Sequence, residues 1–205
     1  VPSLKKRLLE MGSVLKKRDP KGKVVSNRGG WHSRGLLPLQ NEFGVVRTLL
    51  EEVDVAVANF WQEGWQQTPH KQQPSDVHLY VDDMWMMALH PYASNNVHKH
   101  AGNFFAGVYY VNVPDAMQNG TSGLLKLRDP RQQTSVYDDL EWFGFGTEVA
   151  LQPTEGLLIL WPAWLDHFVE PLTEWAGYKE RLKSMRVAIA FNVKRGTGRR
   201  HVAAA

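Results

Sequence analysis

The chain contains no cysteine, which excludes disulfide scaffolds, cysteine zinc fingers, iron–sulfur clusters and thiol catalysis together. Any metal must therefore be held by His, Asp or Glu. No apolar run approaches the ~18 residues of a membrane span, so neither a spanning helix nor a secretory signal is expected, and the expected compartment is the cytoplasm. Internal repeats and low-complexity tracts are also lacking. What remains is a globular composition, 43% hydrophobic and 22% charged over 205 residues, long enough for one domain that buries roughly 70% of its unfolded surface. The start at Val1 rather than Met reads as missing leading residues, and "HVAAA" at the end reads as a tail.

Charge is unevenly placed. Residues 1–30 carry nine Lys/Arg against Glu10 and Asp19, whereas the rest carries fifteen against nineteen acidic residues. A basic arm of this kind suits nucleic acid or an acidic partner. However, "LKKRLLEMGSVLKKR" also places Leu4, Leu8, Met11 and Leu15 on one side of a helix, and no aromatics interleave with its basic residues as on a stacking platform. A solvated helix face is the favoured reading, with nucleic acid a possible but not favoured partner.

Apolar residues from Phe43 to Trp61 recur at spacings of three and four, which predicts a long helix between Gln40 and Trp65. Beyond a polar, proline-containing loop the period shortens to two. The segments "VHLYV", "MWMMALH", "FFAGVYYVNV", "GLLKLR", "TEVALQ", "GLLILWP" and "RVAIAFNV" read as strands between turn clusters. Residues 1–205 therefore read as a single, mainly β domain. Its N-terminal helical part spans 1–70, and an antiparallel sandwich or barrel fills 77–194.

Three histidines stand out as metal ligands: His98 and His100 in "NNVHKHAG", and His167 in "WPAWLDHFVEP". On a strand, H-x-H directs both imidazoles to one face, and a third ligand from a neighbouring strand completes a facial set. In "RVAIAFNV", Val187, Ile189, Phe191 and Val193 form an apolar face, while Arg186, Ala188, Ala190 and Asn192 share the other. Two alanines between Arg and Asn leave room for a ligand, and a cavity-facing guanidinium requires an anion. The strand "FFAGVYYVNV" puts Tyr110 on one face with Ala106 and Val108, where its hydroxyl can join the arginine in holding a carboxylate. Asn192 is a further candidate contact to the bound ligand, and Trp85, Trp161 and Trp164 are candidates for the mouth.

The order of these parts resembles the prolyl-hydroxylase-like branch of the 2-oxoglutarate/Fe(II) oxygenases. It runs H-x-H, then "AGVYYVNVPDAMQNGTSGLLKLRDPR", "EGLLILWPAWLDHFVEP" and "RVAIAFNV". Within that branch it is most similar to the small 2OG-Fe(II) oxygenases found in marine bacteria and phages, and "SNRGGWHS" at 26–33 is similar to their N-terminal part. The resemblance implies a double-stranded β-helix (jelly roll, cupin-like) and an oxidoreductase. This dioxygenase would hydroxylate a small-molecule or peptide substrate while converting 2-oxoglutarate to succinate. It assigns His98 and His167 to Fe(II), Arg186 to the distal carboxylate of 2-oxoglutarate and Tyr110 to its partner hydroxyl. The departure is at His100, where the superfamily has Asp or Glu. Asp129 and Asp166 are the carboxylates nearest these motifs in sequence, and Asp166 should point away from His167. A cupin-like three-His enzyme without a keto-acid cosubstrate would explain His100 but leave Arg186 without an anion. A non-catalytic β-sandwich binding module would leave all of these residues incidental.

Overall fold

A computed structural model describes residues 3–67, 77–117, 122–130, 148–173 and 178–197. Helix α1 (Leu4–Arg18) starts where the Ser3 hydroxyl accepts a hydrogen bond from the Lys6 amide, and it ends on Lys16, Lys17 and Arg18. A serine cap is worth about 1 kcal/mol, and the terminal cations complement the helix dipole. Leu8 and Met11 are buried, and Leu4 and Leu15 pack beside them, as the period predicts. Lys5, Lys16 and Arg18 form ion pairs with Glu155, Glu180 and Glu42. Part of the basic arm's charge is thus spent inside the molecule, which weakens the case for nucleic acid. Helix α2 (Gly44–Gln66) begins four residues later than the sequence pattern starts, and it buries Val46, Leu49, Val53 and Val57.

Among the described residues, ten strands form two five-stranded antiparallel sheets. One contains β1 (Asn27–Arg28), β4 (Ser94–His98), β9 (His167–Val169), β6 (Leu125–Arg128) and β7 (Glu148–Leu151), in that spatial order. The other contains β2 (Trp31–His32), β3 (Val77–Leu89), β10 (Arg186–Thr197), β5 (Phe105–Asn112) and β8 (Leu158–Pro162). This is the expected mainly β jelly roll braced by two helices. "VHLYV" and "MWMMALH", read as two strands, are one: β3 runs unbroken against the whole of β10. The segment from Asp19 to Leu37 reads from its sequence as a loop or a short strand and holds β1 and β2. Strand β4 carries the first histidine of H-x-H, as expected, and β9 has only three residues, too few to show a period. No described helix is long and apolar enough to cross a membrane.

The β3–β10–β5 sheet is covered on both faces. Val187, Ile189, Phe191 and Val193 pack with the helices in one core cluster, while Ala188 joins Met87, Ala106, Val108 and Tyr110 in another between the sheets. The predicted two-faced reading of β10 and β5 therefore holds. At Gly107 on β5, a Cβ would lie 2.6 Å from Phe191 Cε2 and 2.9 Å from the Ile159 carbonyl. Phe191 is fully buried and cannot step aside. Gly107→Ala is expected to destabilise the protein by about 1–3 kcal/mol, the cost of overpacking, measured as a lower denaturant midpoint with an unchanged slope.

Candidate active site

His98 and His167 meet because they are directly opposed across β4 and β9, a register that holds side chains on one face at about 5 Å. His100 reaches them by a different route from the one the sequence suggested. β4 ends at His98, so no strand carries His100. Instead, its amide donates to the Ala163 carbonyl beyond β8 (2.9 Å), and its carbonyl accepts from Asn103 (3.2 Å). That turn places Gly102 at φ 80°, a region glycine enters without strain.

The potential ligand atoms of the three histidines lie within 4.8 Å of one another. Ring centroids are 4.3 Å apart for His98 and His167, 5.0 Å for His100 and His167, and 5.2 Å for His98 and His100. Each Nδ1 faces an oxygen: the Asn96 carbonyl for His98 (2.7 Å), the Leu165 carbonyl for His167 (3.0 Å) and the Asn192 side-chain oxygen for His100. A carbonyl only accepts, so the Nδ1 of His98 and of His167 carries the proton and their Nε2 lone pairs are left for the cluster. A metal ion fits this donor set: three imidazoles with oriented second nitrogens suit Fe(II). Asp166 pairs with Lys99 at 3.5 Å and, like Asp129, is not among the clustered ligands.

Burial holds all three imidazoles below their ordinary pKa, His167 to about 3, with the neighbouring histidines adding to the effect at His167. The cluster is therefore neutral and ready for a cation. Between about pH 3 and 6.5 the unfolded chain, with ordinary histidines, binds more protons than the folded one, so stability falls as pH is lowered through this window. The metal-free protein is expected to melt at a lower temperature at about pH 5 than at about pH 7. A flat melting profile over that range would contradict neutral, buried imidazoles.

Arg186, the first residue of β10, is 3% exposed. The Asn112 side chain donates to the Met185 carbonyl (2.7 Å) and so ties the end of β5 to the start of β10. Arg186 donates from Nη2 to the Tyr110 hydroxyl at 3.4 Å, and its guanidinium carbon lies 5.0 Å from the Tyr110 ring centroid. Among the described residues its Nε has no partner and no carboxylate forms an ion pair with it. Tyr110 is fully buried, and burial raises its hydroxyl pKa above the usual value even though the arginine pulls the other way.

Both groups open on one cavity of about 370 Å³, lined by the three histidines, Arg186, Tyr110, Ala188, Ala190 and Asn192. Sheet register orders it. Trp161, Ala106, Asn192 and Asp83 form one row across the sheet, Val108, Ala190 and Trp85 the next, and Tyr110, Ala188 and Met87 the third. The histidines meet the first row through Asn192, and Arg186 lies past the third. The alanines between leave the space that the sequence reading called for. Of the tryptophans proposed for the mouth, Trp85 and Trp161 line the cavity, whereas Trp164 is 59% exposed and does not. His32 was missed: it lines the cavity and stacks on Trp85 at 5.7 Å and 6°. The only signal was its place within "SNRGGWHS". From the sequence, substrate specificity is expected on the polar loops around 66–76, 115–122 and 130–146, and these fall largely outside the described residues.

No curated protein matches the sequence. Among solved structures, a Pseudomonas putida prolyl-4-hydroxylase is similar over 96% of this chain and 89% of its own, at 16% identity and a TM-score of 0.57. A Trichoplax adhaerens prolyl hydroxylase, in complex with a hypoxia inducible factor peptide fragment, covers 94% of this chain and 79% of its own at 14% identity and a TM-score of 0.59. The viral collagen prolyl hydroxylase of Paramecium Bursaria Chlorella virus-1, in its 2OG complex, covers 96% and 92% at 10% identity and a TM-score of 0.52. At these identities the likeness establishes the fold. A family model described as "Putative 2OG-Fe(II) oxygenase" matches residues 83–192, more than half the chain and every residue of the histidine and arginine sites, so the chain belongs to the 2OG-Fe(II) oxygenase family, dioxygenases that use Fe(II) and 2-oxoglutarate.

Proposed function

We propose that this dioxygenase hydroxylates a small-molecule or peptide substrate while 2-oxoglutarate is decarboxylated to succinate, with His98, His100 and His167 holding the metal and Arg186 and Tyr110 the cosubstrate. The observation that carries the cosubstrate assignment is Arg186 itself. A guanidinium this deeply buried stays charged, and an unpaired buried charge is costly. Among the described residues no carboxylate supplies its anion, a bound carboxylate would, and the cavity leads from it to the histidines. The cupin-like alternative leaves this charge unexplained.

Bound together, Fe(II) and 2-oxoglutarate supply oxygen activation coupled to loss of carbon dioxide. The chain's own part is positional. Arg186 offers a planar fork to a carboxylate, and the Tyr110 hydroxyl, kept protonated by burial, is free to donate to the same group. Ala188 and Ala190 leave the floor clear. Trp85 and Trp161 wall the metal end and limit water there. A peptide substrate is supported by the Trichoplax neighbour, which holds one. Anaerobic titration with Fe(II) and then 2-oxoglutarate tests the assignment. A weak visible charge-transfer band should appear only when both are present, and its absence would sink the proposal.

A further inference from the structure

We infer that Asn192 is a positioning residue that sets the tautomer and donor strength of His100, and through it the metal affinity of a cluster that has three imidazoles and no carboxylate. The inference rests on the metal-site reading above. It reassigns Asn192 from contact with the cosubstrate to control of a ligand.

The three imidazoles are not held alike. His98 and His167 lean on backbone carbonyls two residues away in their own segments, and a carbonyl cannot donate, so their tautomers are settled locally. His100 alone depends on a side chain, 92 positions away on β10. An amide has an accepting and a donating end. With Oδ1 toward the ring, as in this structure, Nδ1 carries the proton and the Nε2 lone pair is free for the metal. With Nδ2 toward the ring, the proton would move to Nε2 and block ligation. Which end faces the ring therefore decides whether the cluster has three ligands or two.

The sheet makes Asn192 a rigid support. It pairs with Ala106 on β5 and with Asp83 on β3, so its backbone is clamped from both sides and its amide meets the ring at a set height. Its neutrality matters as well. Hydrogen-bond acceptors behind a ligating imidazole raise its basicity, and removing such partners typically costs ten- to a hundredfold in metal affinity. A carboxylate at 192 would keep the acceptor, could not present a donor, and would restore one bond away the negative charge that His100 costs the metal shell.

The test compares wild type, Asn192→Leu, which keeps the bulk and loses the acceptor, and Asn192→Asp. In the metal-free proteins, long-range proton–nitrogen NMR reads the His100 tautomer; in parallel, anaerobic calorimetry reads Fe(II) affinity. The expected result is Nδ1–H in wild type and Asp, a mixture of tautomers in Leu, an Fe(II) dissociation constant raised about ten- to a hundredfold in Leu, and affinity equal to or above wild type in Asp. An Nε2–H tautomer in wild type overturns the inference. So does a Leu variant within about twofold of wild type, or equal losses in Leu and Asp, which would mean that shape alone matters. Should Leu fail to fold, the wild-type tautomer and the Asp affinity still decide. Failure of the metal-site reading looks different: the wild type itself would bind no Fe(II).

Discussion

Arg186→Ala is expected to raise the dissociation constant for 2-oxoglutarate by on the order of a hundredfold or more and to leave Fe(II) affinity nearly unchanged. Removing one partner of a buried charge pair costs about 3–5 kcal/mol, because the other charge stays desolvated and uncompensated, and each 1.4 kcal/mol is tenfold in affinity. Here the loss falls on the cosubstrate, since among the described residues the side-chain partner of the guanidinium is the neutral Tyr110. Lys at this position should recover part of the loss, keeping the charge and giving up the fork. The free protein is expected to be at least as stable as wild type, because the substitution removes a buried guanidinium whose Nε has no partner among the described residues. Calorimetry on the metal-loaded protein checks the binding, and equal cosubstrate affinity in wild type and variant would move the cupin-like reading ahead of the Arg186 assignment.

The second large effect is expected at the metal. His98→Ala or His167→Ala should abolish stoichiometric Fe(II) binding, because each removes one of three neutral donors and no described carboxylate belongs to the cluster. Loss of one ligand opens a further site to water and loosens the two that remain. The metal-free variants should fold: both histidines have their Nδ1 on local carbonyls, and neither closes a contact between helices and sheets. Far-ultraviolet circular dichroism should match wild type while equilibrium dialysis finds no bound iron. Wild-type affinity in both single variants would remove the metal-site reading.

Much of this site is legible in the sequence because it depends on strand period. Alternation alone separates Arg186, Ala188, Ala190 and Asn192 from Val187, Ile189, Phe191 and Val193, and places Tyr110 with Ala106 and Val108. Those assignments hold in the folded protein because every second residue of a paired strand must share a face. The helices are legible for the same reason, at a period of 3.6. Absence of cysteine limits the metal to His, Asp or Glu, and the order of the motifs points to the family.

Tertiary structure decided what passes between distant segments. Period two predicted that His100 would sit beside His98, and it does, though β4 ends before reaching it. A turn through Gly102, the Ala163 carbonyl and Asn192 put it there instead. Asn192, expected at the cosubstrate, lines the shared cavity and sets its side-chain oxygen against the His100 ring, because pairing of β10 with β5 and β3 sets its height on the sheet, and no local pattern encodes that height. His32 entered the cavity from a two-residue strand too short to carry a period. Local sequence determines which way a side chain points from its own strand; which partner it then meets depends on strand register and loop closure, and these are fixed only when the two sheets fold over one another.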